Sequence, residues 1–287
     1  MALKHRLLAG FLPALLLAVA THGVAFGAPP AAATLEDDLE DNELDGRDFA
    51  RWRLQLRQDP KDIGTWLRLA QAYLEAGYFE EARAGFFRAV ALDYLVAEAH
   101  FGLGSSELAL ANDEGALFSF NEMARLFPQR FDGHYNRAVS LARLGRINEA
   151  AAAFREAVVW AQGEDLLSAR LGLAGQLKVL GDYEGAADVY TEALAVEARP
   201  DLIFLRGEAL FQAGRGLEAL PDLTTLAADE AEAGGAPVSA LIADIYLEAG
   251  RSDYALRALE RSLAYATVSG DAFGVGTAQF RLGLVYR

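Results

Sequence analysis

Apolar residues recur along this chain on two nested spacings, one of a helical turn and one of about 34 residues. Between Asp62 and Asp93 (DIGTWLRLAQAYLEAGYFEEARAGFFRAVALD), Trp66, Leu69, Tyr73 and Leu74 fall at helical spacing. After a break, Ala82, Phe86, Ala89 and Val90 do so again. The pattern predicts two short amphipathic helices. Gly77 ends the first, because without a Cβ it takes a positive φ at little cost. The signature then returns. Ala82 recurs as Ala116, Ala150, Ala186, Ala219 and Ala255, at intervals of 34, 34, 36, 33 and 36 residues. Five residues before each stands Gly77, Ala111, Gly145, Gly181, Gly214 or Gly250.

This period and signature resemble the tetratricopeptide repeat, whose Trp, Leu-Gly, Tyr, Ala, Phe, Pro pattern is matched through Trp66, Leu69-Ala70, Tyr73, Ala82, Phe86 and Ala89. The resemblance covers residues 63 to 287 and implies an all-α fold, a right-handed superhelical α-solenoid of helix-turn-helix repeats. Helices this short are marginal alone in water and persist by burying one face against a neighbour. The eighth residue of each repeat is small: Ala70, Gly104, Ala138, Ala174, Gly207 and Ala243. It is expected to let two helix backbones approach closely. Phe86, Phe120, Phe154, Tyr190, Leu223 and Leu259 occupy the matching bulky position and should fill the space between repeats. Truncating such a Phe to Ala should cost ~3–5 kcal/mol.

The rest of the chain falls into place around the six repeats, which span 63–269. Residues 1–27 read as a cleavable secretory signal peptide: Lys4, His5 and Arg6, then an apolar run from Leu7 to Ala20, then small residues offering cleavage after Ala20 or, preferred, after Gly27. The alternative is an uncleaved anchor, but the run falls short of the ~20 residues a span needs. Export to a bacterial periplasm or exterior follows as an expectation, without membrane insertion after cleavage. Residues 28–48 read as a disordered acidic linker, with eight acids between Glu36 and Asp48 against Arg47 alone. Residues 49–60 read as a capping helix, Trp52 and Leu56 covering the first repeat and Pro60 ending it. Two-residue insertions at Gln162–Leu166 and Glu232–Ala236 are expected in loops, and Pro221 is expected to delay or bend its helix. Residues 270–287 predict a single final helix, a cap or half-repeat, whose Phe280, Leu284 and Val285 are apolar for an end surface.

Composition narrows the function. The net charge of −15 and pI near 4.7 argue against nucleic acid or an anionic membrane as partner, since both select clustered Lys and Arg. There are no cysteines, hence no disulfide and no thiolate metal site. Asp41, Glu43, Asp45 and Gly46 imitate a calcium loop, but Trp52 stands where its bidentate Glu belongs. His100 and His134, one repeat apart, are expected to pack or cap rather than bind metal. No nucleophile elbow or phosphate loop is present, and the two G-x-G pairs, at Gly102 and Gly274, lack the third glycine. An enzyme, a metal and a cofactor are therefore not expected. Three residues depart from the family's apolar pattern: Glu107, Arg137 and Arg206. Glu107 and Arg137 are expected to pair across adjacent first helices.

The resemblance further implies that the first helices line a concave surface that binds peptides. The fifth residue of each repeat, which typically points into it, gives Leu67, Phe101, Tyr135, Leu171, Phe204 and Ala240, with Phe280 in the last helix; one turn on lie Leu74, Leu108, Phe211 and Leu247. This apolar, aromatic-rich stripe is the candidate peptide groove. The alternative is that the same side chains pack within or between repeats. The family's carboxylate clamp is excluded, because Phe101, Ser105, Ser168 and Gly172 stand where its partners are required. The leading expectation is a non-enzymatic scaffold that holds a protein or peptide partner in envelope or secretion assembly. Self-assembly into a homo-oligomer through the last helix, and a glycan- or small-molecule-binding accessory role, are the alternatives.

Overall fold

The computed structural model describes residues 47–229 and 235–286, so the signal-like segment, most of the acidic linker and part of the second insertion lie outside the described residues. Among the described residues there are fourteen helices and no strand. The helices fall into two compact units, divided between Tyr94 and Leu95, at the boundary between the first and second repeats.

The first unit holds α1 (Arg47–Gln58), α2 (Ile63–Glu75) and α3 (Phe79–Leu92), with α2 packed on both others. Asp62 caps α2, its carboxylate accepting from the Thr65 amide. Leu69, Ala70, Tyr73, Ala82, Phe86 and Ala89 form its buried face. Against α2, α1 buries Leu56, sets Phe49 5.2 Å from the Tyr73 ring, and donates from Arg53 to the Tyr73 hydroxyl at 2.7 Å.

The second unit continues with α4 (Ala97–Ala109), α5 (Asp113–Leu126), α6 (Phe131–Arg143), α7 (Ile147–Trp160), α8 (Gly163–Val179) and α9 (Tyr183–Val196). Then come α10 (Pro200–Gln212), α11 (Gly216–Asp229), α12 (Gly235–Glu248), α13 (Ser252–Ser269) and α14 (Ala272–Val285). Each packs on the next in chain order, so a helix inside the row lies between its hairpin partner and an adjoining hairpin. First helices also touch directly, α4 on α6, α6 on α8 and α10 on α12.

The hairpin turn is the same in all six repeats. A residue at positive φ closes the first helix, and the next amide donates back five residues, as from Tyr78 to the Tyr73 carbonyl at 2.9 Å and from Arg146 to Leu141 at 2.9 Å. Five repeats place glycine there. In the second, Ala111 adopts φ 58° in spite of its Cβ.

The bulky second-helix residues Phe86, Phe120, Phe154, Tyr190, Leu223 and Leu259 are all buried. What the small eighth residue clears differs from expectation. A Cβ on Gly104 would stand 2.7 Å from the Phe120 ring, and one on Gly207 would stand 3.0 Å from Leu223. The clearance thus admits the large side chain of the same hairpin. At Ala70, which meets Gly85, the close approach is one of small residue on small residue.

Three further expectations are corrected. Gln162–Leu166 is not a loop: Gln162 caps α8 and Gly163 to Leu166 form its opening turn, so the extra residues lengthen the helix. Pro221 does not delay α11, which starts at Gly216 and runs through it; Thr225 donates to the Pro221 carbonyl at 2.9 Å. Val285 is not on an outer face, since it packs with Leu282 against the central core.

Candidate functional site

The candidate surface is built from the first helices of the second unit. Phe101 and Leu108 on α4, Tyr135 on α6, Leu171 on α8, and Phe204 and Phe211 on α10 are each half-buried, one side packed on the core and the other open. The packing is specific. The Phe101 ring meets Phe120 edge-on at 6.2 Å, and Tyr135 meets Phe154 edge-on at 5.7 Å and Phe131 at 5.2 Å. The second helix's bulky side chain therefore props each of these rings from below. The row joins both readings given by its sequence, part core and part surface.

The remaining residues of the row sit differently. Leu247 is 36% exposed, at the C-terminal turn of α12, and Phe280 on α14 is 68% exposed. Leu67 and Leu74 belong to the first unit, where Leu67 is half-buried and Leu74 is only 9% exposed, part of that unit's core.

Charge links successive first helices along this face. Lys178 on α8 reaches Glu208 on α10 at 2.5 Å, and Arg281 on α14 reaches Asp244 on α12 at 2.9 Å. Arg130, ahead of α6, bonds Glu98 of α4 at 3.0 Å and Asp132 at 2.7 Å; Arg199 bonds Asp201 at 2.6 Å. Burial pushes the Asp244 carboxyl up despite Arg281. Burial, with the Glu208 charge nearby, pushes the Tyr190 phenol up to about 12. Sequence reasoning did not single out these pairs. Their signal was there, since Lys178 and Glu208 are 30 residues apart and Arg281 and Asp244 are 37 apart, each close to one repeat.

Asp165, in the first turn of α8, was also missed. Its carboxylate makes no ion pair with a described residue, and burial, with Asp132 and Glu164 adding like charge, raises its pKa. Tyr135 is raised as well, first by burial and then by the Asp165 charge.

The other singled-out residues have structural partners. Arg137 pairs not with Glu107 of the adjacent first helix but with Glu156 on its own hairpin, at 2.5 Å, while Glu107 accepts from Asn112 at 2.8 Å. A hairpin partner is closer to hand than a neighbouring repeat. Arg206 likewise pairs with Asp222, and Arg170 reaches Glu192 at 3.2 Å. His134 is buried, its Nε2 at 2.9 Å from the Pro128 carbonyl, and its Nδ1 lies 3.3 Å from Glu156 without hydrogen-bond geometry. Trp66 makes the same bond two repeats earlier, its indole N–H donating to the Pro60 carbonyl at 3.0 Å. In these two repeats the fourth residue thus ties down the proline that closes the preceding segment. No group of three potential metal ligands occurs among the described residues. A cavity of about 280 Å³ lined by Arg137, Arg146, Glu149 and Glu156 has its cations matched by its carboxylates, Arg146 with Glu149 at 2.6 Å.

Helical hairpins stacked on one another, with a half-exposed apolar row on their first helices, define a protein–protein interaction scaffold of the solenoid class. The chain belongs to the tetratricopeptide repeat family: that family's sequence model matches residues 67–130, 116–165 and 176–236. Comparison with curated proteins gave no match. Among solved structures, the fold is similar to that of PilF from Pseudomonas aeruginosa (TM-score 0.55, 15% identity, 78% of this chain and 100% of that one). It is also similar to YrrB, described as a repeat protein with an unusual peptide-binding site (TM-score 0.53, 17% identity, 73% and 97%). A third is a tetratricopeptide repeat protein from Parabacteroides merdae ATCC 43184 (TM-score 0.50, 17% identity, 83% and 91%). No helix among the described residues is long and apolar enough to cross a membrane.

Proposed function

We propose that this chain is a non-catalytic docking scaffold whose first-helix face, in residues 95–287, holds a segment of a partner protein. The observation that carries this is the row Phe101, Tyr135, Leu171, Phe204 and Phe211: each side chain is anchored on the core yet keeps one side open. Such residues are pre-ordered, so a guest covers them without the entropy loss of fixing a mobile side chain. The placement of the scaffold in the cell envelope rests on the N-terminal sequence, basic then apolar then small, which supports export with cleavage near Gly27. N-terminal sequencing of the mature protein checks that part.

The test of docking is affinity capture of partners by wild type and by Phe101→Ala/Phe204→Ala, with thermal melts to confirm that both remain folded at the assay temperature. Loss of a partner from the variant is expected; equal recovery overturns the assignment. A second reading, self-association, is favoured by α14, where Phe273 is 84% exposed, Phe280 68% and Leu284 54%.

A further inference from the structure

Helix α14 carries two features that its packing among the described residues does not use. Phe273 and Phe280 project, 84% and 68% exposed. Gly276 and Gly283, also exposed, sit inside the helix, where glycine is destabilising relative to alanine. Elsewhere in the chain a helical glycine has a use. A Cβ on Gly104 would run into the Phe120 ring, one on Gly172 into the Phe154 ring, and one on Gly207 into Leu223. In each case the large side chain comes from the helix next in the row, and helices joined by short turns run antiparallel. A Cβ on Gly276 or Gly283 would meet nothing within 4 Å. The fold's own device, a bulky side chain seated over glycine between antiparallel helices, is therefore present on α14 in both halves and unfilled.

We infer that α14 pairs antiparallel with α14 of a second copy of this chain, each Phe seated over a glycine of the other. Phe273, Gly276, Phe280 and Gly283 are spaced 3, 4 and 3 residues apart and so share one helix face. Their order is complementary to itself. A two-fold axis level with Ala278 sets Phe280 opposite Gly276 of the copy, and the same axis sets Phe273 opposite Gly283. That one operation fills every gap is what favours a second copy over an unrelated partner. Charge permits the contact. With a net charge of −15, copies repel over most of their surface. From Phe273 to Leu284, however, the only charged residue is Arg281, which Asp244 of α12 holds at 2.9 Å. The inference rests on the self-association reading above and adds the contact surface and its register. A single helix about 21 Å long makes a small interface, of the size that transient complexes use.

The chain holds no cysteine, so single cysteines report cleanly. Sedimentation equilibrium of the full chain at tens of micromolar is expected to show a dimer. Gln279→Cys, one residue from the axis, should cross-link to its own copy through a short bismaleimide. Tyr286→Cys, whose two copies stand about 24 Å apart in this register, should not. Gly276→Ala/Gly283→Ala should raise the Tm, because alanine favours helix, and yet weaken the dimer roughly tenfold or more, because each new Cβ meets a ring. Circular dichroism establishes that the variants fold. A wild-type dimer that fails to cross-link at Gln279→Cys, that cross-links at Tyr286→Cys, or that keeps its Kd in the alanine variant ends this pairing and leaves self-association standing. A wild-type monomer ends both and gives the face to another occupant, residues 1–46 or a different protein.

Discussion

Asp165 shows how one residue can be set apart in a chain rich in carboxylates. Its pKa is raised above 3.8, by partial burial first and then by Asp132 and Glu164, so its ionised form is less favoured in the folded state than in the unfolded chain. The consequence for stability has a definite sign. A raised carboxyl pKa means that the folded state takes up the proton more readily, so folding is penalised at neutral pH and the penalty disappears once both states are protonated. Asp165→Asn should therefore raise the Tm at pH 7. The advantage over wild type should shrink as pH falls through the raised pKa and be gone below 3.8. Thermal melts of both proteins from pH 7 to pH 3 check this; the increment is small, because the group remains largely in contact with solvent. The sequence placed Asp165 in an insertion and said no more. Its significance comes from Asp132, 33 residues away, which only the stacking of α6 on α8 brings near.

At the scale of the helical hairpin, the chain was read most fully. Alanines at a 33- to 36-residue period, the buried second-helix residues and the turn at positive φ follow from side-chain size and backbone freedom, which are local. The turn at Ala111 is the exception that tests the reason. Left-handed backbone costs an L-residue with a Cβ on the order of 1 kcal/mol, and glycine escapes that cost. Ala111→Gly should stabilise the second repeat by about that amount, measured as a shift of the urea midpoint with unchanged slope; a loss of stability would show that the turn is held some other way.

The last helix divides its apolar residues into two sets, which periodicity alone did not resolve. Leu282 and Val285 pack inward, and Phe280 and Leu284 face out. Phe280→Ser/Leu284→Ser should leave the Tm nearly unchanged. Under the self-association reading it should also convert a dimer at tens of micromolar, seen by light scattering, to a monomer. A wild-type monomer at that concentration removes the reading.

At the scale of the molecule, the repeat period predicted an unbroken array from residue 63 onward. The chain forms two compact units, divided between Tyr94 and Leu95, and helical hairpins at that period build both. A period specifies which residues face a neighbour; it does not specify how deeply each is buried. For the same reason the candidate face was legible as a row of positions and not as a set of depths. Leu74 is core, Tyr135 is half-open and Phe280 projects, although all carry a comparable sequence signal.

The most direct measurement is photo-cross-linking in the native host, with a benzoylphenylalanine replacing Tyr135 or Phe204 on first helices, or Phe118 on α5, which is exposed away from the row. The account predicts one partner adduct from Tyr135 and Phe204 and none from Phe118. Adducts from Phe118 with none from the two first-helix positions would contradict it.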